Sequence, residues 1–174
     1  MLLYHGSPTG GIRALRPSPS NHDKAYVYLT DCAALALLYA HNPIERPGGF
    51  FPYWFDKAGL LHYDEYFPGQ TRTLYGGQPG WIYRVEATGL PQLDKMPWVY
   101  LSEGEIQVCG ADFIPDLYTA LLRAERKGKL ILHRYEDIPP AQQEKHRQIV
   151  RRSMEGHGED DYIRFLRQYM PELF

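Results

Sequence analysis

The alternation of apolar and polar positions breaks the chain into short segments. Leu3-Tyr4-His5-Gly6-Ser7 reads as a short apolar strand running into a Gly-Ser-Pro turn. Pro8 to Lys24 is a loop rich in Gly, Pro, Ser and Asn, with an apolar island at Ile12 and Leu15. Tyr26-Val27-Tyr28-Leu29-Thr30-Asp31 alternates ring and aliphatic residues, the pattern of a strand with two dissimilar faces. Thr30 or Asp31 then offers a side-chain oxygen to cap a helix, which the Ala/Leu-rich run Ala33 to Ala40 continues. From Asn42 to Gly80, Gly and Pro punctuate aromatic clusters. Short strands or turns are expected at Tyr53–Asp56 and near Leu60–Tyr66, inside a long insertion of the kind that serves as a lid or a mobile loop.

The second half is plainer. Trp81 to Ala87 alternates cleanly and predicts a strand, and Val99–Leu101 and Glu105–Cys109 predict two more. Pro115-Asp116 opens a helix that runs to about Lys127, with Gly128 closing it. Leu130–Tyr135 is a further strand, and Pro139-Pro140 marks a boundary. Ala141–Met154 and Asp160–Met170 read as two amphipathic helices. Strands without regular crossover helices between them point to α+β rather than a doubly wound parallel sheet. The expected organisation is one domain over residues 1–138 with a helical extension, 139–174, too short to bury a core alone and therefore packed on it.

Composition narrows the function classes. The 174 residues are 44% hydrophobic and 23% charged, with a net charge of -2, which gives no electrostatic reason to expect general nucleic-acid or membrane binding. Cys32 and Cys109 are too few and too isolated for a disulfide framework or a zinc site, which makes a reducing compartment the default. No run reaches membrane-spanning length and no basic-then-apolar leader opens the chain, so the expected location is the cytoplasm. No dinucleotide glycine fingerprint, phosphate loop or Gly-x-Ser-x-Gly elbow occurs, and His133, His146 and His157 are scattered without a ligand pattern. The unusual feature is the aromatic share, 14% of the chain, which suits a protein that stacks flat heterocycles as well as one with a ring-rich core.

Tyr28 and Tyr39 stand eleven positions apart, so a strand end and a helix two turns on could set two phenol rings over one pocket. The adjoining strand would add a His and a Gly. His-Gly on a first strand, Tyr-x-Thr on a second and a Tyr eleven positions later together resemble the NAD-binding core of the ADP-ribosyltransferases. The nearest pattern is the His-Tyr-Glu branch that includes the poly(ADP-ribose) polymerases. Tyr26-Val27-Tyr28-Leu29-Thr30 and Gly80 to Gly89 are also similar to bacterial rifamycin ADP-ribosyltransferases. The resemblance implies a split β-sandwich of two antiparallel or mixed sheets with flanking helices, and transfer of ADP-ribose from NAD to an acceptor. NAD enters as substrate, no metal is required, and a regulatory partner protein is possible.

Residue by residue, the resemblance gives Glu105 the catalytic carboxylate, which bonds the ribose 2′-hydroxyl and steadies an oxocarbenium-like sugar. His5 would hold ribose hydroxyls, Gly6 would let backbone reach the nicotinamide amide, and Tyr28 and Tyr39 would stack on the ring. Ser7 follows them in the same pocket, and Arg13 or Arg16 could meet a phosphate. Glu103, Trp98 and Tyr100 would face the acceptor from an exposed loop over residues 94–104. One departure is plain: many members of the branch carry Ser three positions before the stacking Tyr, where this chain has Ala36.

Taken singly, each of these residues is an ordinary surface or core side chain, and their joint order carries the reading. Three alternatives stand beside it. One is a catalytically silent NAD-binding or interaction module of the same fold. A second is an RNA 2′-phosphotransferase, disfavoured by the lack of clustered Arg and Lys. The last is an oligomerising domain that uses the aromatic stretch 50–67 as its interface.

Overall fold

Short strands joined mostly by turns, with helices set between them, make this an α+β protein. The computed structural model describes residues 1–19, 24–43, 52–94 and 96–174. Phe50, Phe51 and Lys95, which belong to the aromatic stretch and the acceptor loop expected above, lie outside the described residues. In chain order the first elements are β1 (Leu2–Ser7), β2 (Ala14–Leu15), β3 (Val27–Thr30), α1 (Ala33–Tyr39), β4 (Tyr53–Phe55), β5 (Leu61–Asp64), α2 (Gln70–Tyr75) and β6 (Gly80–Glu86). β7 (Gln92–Leu93), β8 (Met96–Ser102), β9 (Ile106–Gln107), β10 (Gly110–Ile114), α3 (Leu117–Arg126), β11 (Leu130–His133), α4 (Pro140–Ser153) and α5 (Asp161–Tyr169) complete the set. Among the described residues no helix is long and apolar enough to cross a membrane.

The chain divides into two compact units, each built from two separate stretches. Unit 1 is Met1–His41 with Gly77–Leu121, and unit 2 is Asn42–Gly76 with Leu122–Phe174. The division therefore does not fall at 138/139: residues 139–174 belong with 42–76 in one unit instead of extending a domain that ends at 138.

Unit 1 is a six-stranded antiparallel sheet in the order β10-β6-β1-β3-β8-β7, with a two-stranded ribbon of β2 and β9. β1 runs in register with β6 from Leu2↔Glu86 to Ser7↔Trp81, and β3 with β8 from Val27↔Ser102 to Thr30↔Val99. Strand alternation sends Leu3, Val27, Leu29, Val85 and Tyr100 to one face, where Leu15 of the ribbon completes an apolar cluster. Full burial of each such side chain contributes about 1.5–3 kcal/mol. α1 covers the other face with Ala34, Leu35, Ala36 and Leu38. Two glycines set how closely it can approach. A Cβ on Gly6 would lie 2.0 Å from the Ala36 carbonyl oxygen, and one on Gly80 would lie 2.5 Å from the Ala40 carbonyl oxygen. The cap of α1 differs from expectation. Cys32 is the N-cap residue and gives no side-chain cap, while Thr30 Oγ1 accepts from the Cys32 N–H at 3.0 Å.

Unit 2 contains a three-stranded sheet, β11-β5-β4, in which β5 pairs parallel with β11 and antiparallel with β4. The aromatic insertion is thus neither lid nor loop over residues 52–76. Tyr63, Tyr66 and Phe67 are buried, and Tyr66 and Phe67 pack with Val150, Tyr162, Ile163, Leu166 and Met170 of α4, α5 and the chain beyond them. The Glu65 carboxylate, only 2% exposed as a residue, ties the unit together by accepting from the backbone N–H of Thr71 at 2.9 Å and of Tyr135 at 3.3 Å. α5 is capped as its sequence suggests, with Asp160 Oδ1 accepting from the Ile163 N–H at 2.9 Å.

Candidate functional site

The site residues inferred from sequence all lie in unit 1, and most gather at one end of its sheet. The ladder between β1 and β3 is registered at a single pair, Tyr4↔Thr30, whereas β1 and β6 stay paired along all six residues of β1. Beyond Tyr4 a side chain takes over from backbone. His5 Nδ1 lies 2.9 Å from the Tyr28 carbonyl oxygen. A carbonyl only accepts, so Nδ1 carries the proton and Nε2 is the acceptor nitrogen of the neutral ring. Burial pushes the His5 pKa down, and the bond to Tyr28 offsets this only in part, so the ring is held below its ordinary value of 6.5.

The shared pair Tyr4↔Thr30 fixes which side chains share a face. Gly6 and Tyr28 fall on the α1 side, together with Tyr39, the last residue of that helix. His5 falls on the alternate face with Leu3 and reaches Tyr28 through its carbonyl, not through its ring. The structure therefore puts Gly6 and Tyr28 on the α1 side of the sheet, with the Tyr39 backbone against Gly6, and sets His5 at the seam between β1 and β3. The missing side chain at Gly6 is explained first by packing, because α1 occupies the space a Cβ would need. Ala36 is part of that contact and is buried. Ser7 is buried as well, and its Oγ accepts from the Thr9 N–H at 3.1 Å, which makes it a turn-former.

The two acidic candidates occupy the turn after β8. Val27↔Ser102 pairing brings this turn to the end of the sheet where β3 begins, one residue from Tyr28. Both carboxylates are exposed and already engaged. Arg16 Nε donates to Glu105 Oε2 at 2.8 Å, Gln107 Nε2 donates to Glu105 Oε1 at 2.9 Å, and Lys24 Nζ donates to Glu103 Oε1 at 3.1 Å. Arg13 has an exposed side chain, and its carbonyl accepts from the Val108 N–H at 2.9 Å.

The expected acceptor loop needs correction. Met96–Ser102 is strand β8, paired with β3 and β7, so only Glu103 and Gly104 remain of the exposed loop between that strand and Glu105. Tyr100 is 8% exposed, sits in the apolar cluster opposite Leu29, and its hydroxyl donates to Asp31 Oδ2 at 3.1 Å. It is a core residue, not a rim one. Trp98 is half-buried.

Two residues overlooked in the sequence help to build this end of the sheet. Tyr83, opposite His5 on β6, is wholly buried; its hydroxyl donates to the Thr9 carbonyl at 2.7 Å and accepts from the Ile12 N–H at 3.2 Å. That pair of bonds holds the loop that carries Arg13 and Arg16. The available signal was a Tyr at a core position of the alternating run 81–87, since a buried hydroxyl must find partners. Asp31, expected only as a helix cap, anchors Tyr100 instead. Among the described residues no group of three or more His, Cys, Asp or Glu side chains is placed to hold a metal ion. In comparisons with known proteins, no family model, no curated protein and no solved structure matches the chain.

Proposed function

We propose that the protein is a NAD-dependent ADP-ribosyltransferase of the split-sandwich type, which moves ADP-ribose from NAD to an acceptor and releases nicotinamide. The observation that carries the reading is the gathering of Gly6, Tyr28 and Tyr39 on one side of the sheet, beside a seam held by His5. The residues fit the dinucleotide in chemistry. Two phenol rings suit the flat nicotinamide, and a His kept neutral, with Nε2 as acceptor, suits a ribose hydroxyl. In the reaction the bond from ribose C1′ to the nicotinamide nitrogen breaks, and its electron pair leaves with nicotinamide. The acceptor's nucleophile then bonds C1′ and loses its proton. The Glu105 carboxylate would offset the positive charge that develops on the sugar.

One observation favours a silent NAD-binding module instead, namely that Glu105 is held by Arg16. Both partners are well exposed, and such a pair typically contributes only about 0.2–1 kcal/mol, so a bound ribose can displace it. Incubating the protein with NAD labelled in its adenylate, in whole-cell lysate, tests the reading. The expected result is release of nicotinamide and label on a protein, nucleic acid or small molecule. NAD binding without nicotinamide release would leave the silent module, and the absence of NAD binding in calorimetry would overturn both.

A further inference from the structure

Unit 2 holds a cavity of about 570 Å³ with aromatic, imidazole and carboxylate side chains in its wall. The parallel register sets His133 opposite Asp64, and His62 lies two residues before Asp64, so these three polar side chains emerge on one face of the small sheet. Trp54 lies opposite His62 on β4 and joins that face, its ring stacked on His62 at 4.0 Å and 16°. His62 Nδ1 and His133 Nε2 are 2.8 Å apart. α4 closes the wall with Gln142 and His146: His146 Nε2 is 3.0 Å from Gln142 Nε2 and 3.4 Å from Asp64 Oδ2. The His146 ring lies flat on Tyr66 at 4.1 Å. His146 is only 3% exposed, and its Nδ1 finds no hydrogen-bond partner among the described residues.

Carboxylates and imidazoles set the electrostatics of this wall. Burial pushes the Asp64 pKa up, but hydrogen bonds from His146 and Trp54, with both neighbouring histidines, outweigh it and hold the carboxyl below the usual range. Asp64 is therefore anionic at neutral pH. Tyr66 is pushed up to about 12, by burial first and then by the Asp64 charge, so its phenol stays neutral. Asp137 adds a second carboxylate, and no Lys or Arg is among the residues that line the cavity. A carboxylate sheltered from water, with no Lys or Arg lining the space beside it, favours a cation there. Trp54 lines the same space and keeps 45% of its surface exposed.

We propose that this cavity binds a small planar organic cation of the guanidinium class, its plane against Trp54 and its N–H groups on the Asp64 carboxylate. A flat delocalised cation is the one chemistry that uses both features, stacking on indole and donating two parallel hydrogen bonds to a carboxylate. The cavity falls within the range of about 300–1,000 Å³ typical of small-molecule sites. Phosphate and carboxylate ligands would meet Asp64 and Asp137 with like charge. The inference is independent of any NAD chemistry in unit 1.

Calorimetry on the full chain tests it, with phenylguanidinium as probe and neutral phenylurea as its isostere. Phenylguanidinium should bind about tenfold tighter or more, the scale of one charge-assisted hydrogen bond. Trp54→Leu, its fold checked by circular dichroism, should weaken phenylguanidinium binding by a similar factor, and Asp64→Asn should do the same. If Asp64→Asn fails to fold, Trp54→Leu and the phenylurea comparison still decide. Equal affinity for the two probes, binding that survives Trp54→Leu, no phenylguanidinium binding at millimolar concentration, or its displacement by zinc ion would each overturn the proposal.

Discussion

In unit 1 the polar residues of interest stand around an apolar sheet, and its acidic pair is solvated and ion-paired at the surface. In unit 2 the corresponding groups are turned inward: Glu65 is buried, His62 and His146 are nearly so, and rings stack face to face across them. The contrast separates two ways of placing functional groups. In unit 1 the acidic pair is carried on exposed side chains, so single changes at Glu103 or Glu105 should have little effect on the fold. In unit 2 the side chains are themselves part of what holds the fold, because a buried polar group stripped of its partner costs free energy.

Glu65→Ala should show the largest effect. It leaves the buried Thr71 N–H without an acceptor, at about 1–3 kcal/mol, and the half-buried Tyr135 N–H at a smaller cost. Urea unfolding should report the sum, and hydrogen exchange should speed up at those two amides. An unchanged midpoint would break the contrast between the units. Glu105→Gln should give the mirror image, with stability within about 0.5 kcal/mol of wild type. On the transferase reading, nicotinamide release should fall about 100- to 1000-fold while NAD affinity holds. Equal turnover at equal affinity would show that Glu105 is not the reacting carboxylate.

Gly6→Ala sharpens the comparison within unit 1, where packing against α1 leaves the backbone no slack. The new methyl would strike helix backbone, and a loss of about 3 kcal/mol is expected. Gly104→Ala, with nothing within 4 Å of the added atom, should change stability by less than about 0.5 kcal/mol. Denaturant midpoints of the two variants should differ accordingly.

The smallest effect is a pH dependence at His5. Its folded pKa lies below the 6.5 of the free side chain, so below that pH the unfolded chain binds more protons than the folded one. Stability that is complete above 6.5 is therefore lost as pH falls from there toward the folded value. Subtracting urea midpoints of His5→Asn from wild type at about pH 8 and about pH 5.5 isolates the contribution. No difference in slope would place the ring in open solvent.

How much was legible in the sequence follows the same divide. β6 was read from its alternation, and α5 from its amphipathic pattern. β10 was missed, since Gly-Ala-Asp-Phe-Ile has no alternation of its own and becomes a strand by pairing along β6. α2 was missed because six residues between Gly69 and Gly76 are too few to show a helical period; Glu65 and the Gln70 side chain, which accepts from the Tyr66 N–H at 2.6 Å, hold its start. The order of His5, Gly6, Tyr28 and Tyr39 was readable because neighbouring elements place them. His62 and His133 were not, because a parallel ladder between distant segments brings them together.

That ladder also bears on how the chain is made. The first stretch of unit 2 ends at Gly76 and its second begins at Leu122, with the whole of β6 to β10 between them. β5 has no partner in β11 until residues 130–133 have left the ribosome, which at about 5–20 residues per second takes some seconds. During that interval Tyr66 and Phe67 have none of the packing that α4 and α5 later supply. Unit 1, whose strands are all synthesised by Ile114, can close first. Until then the aromatic segment of unit 2 has no finished core to enter, while every strand of unit 1 is already available.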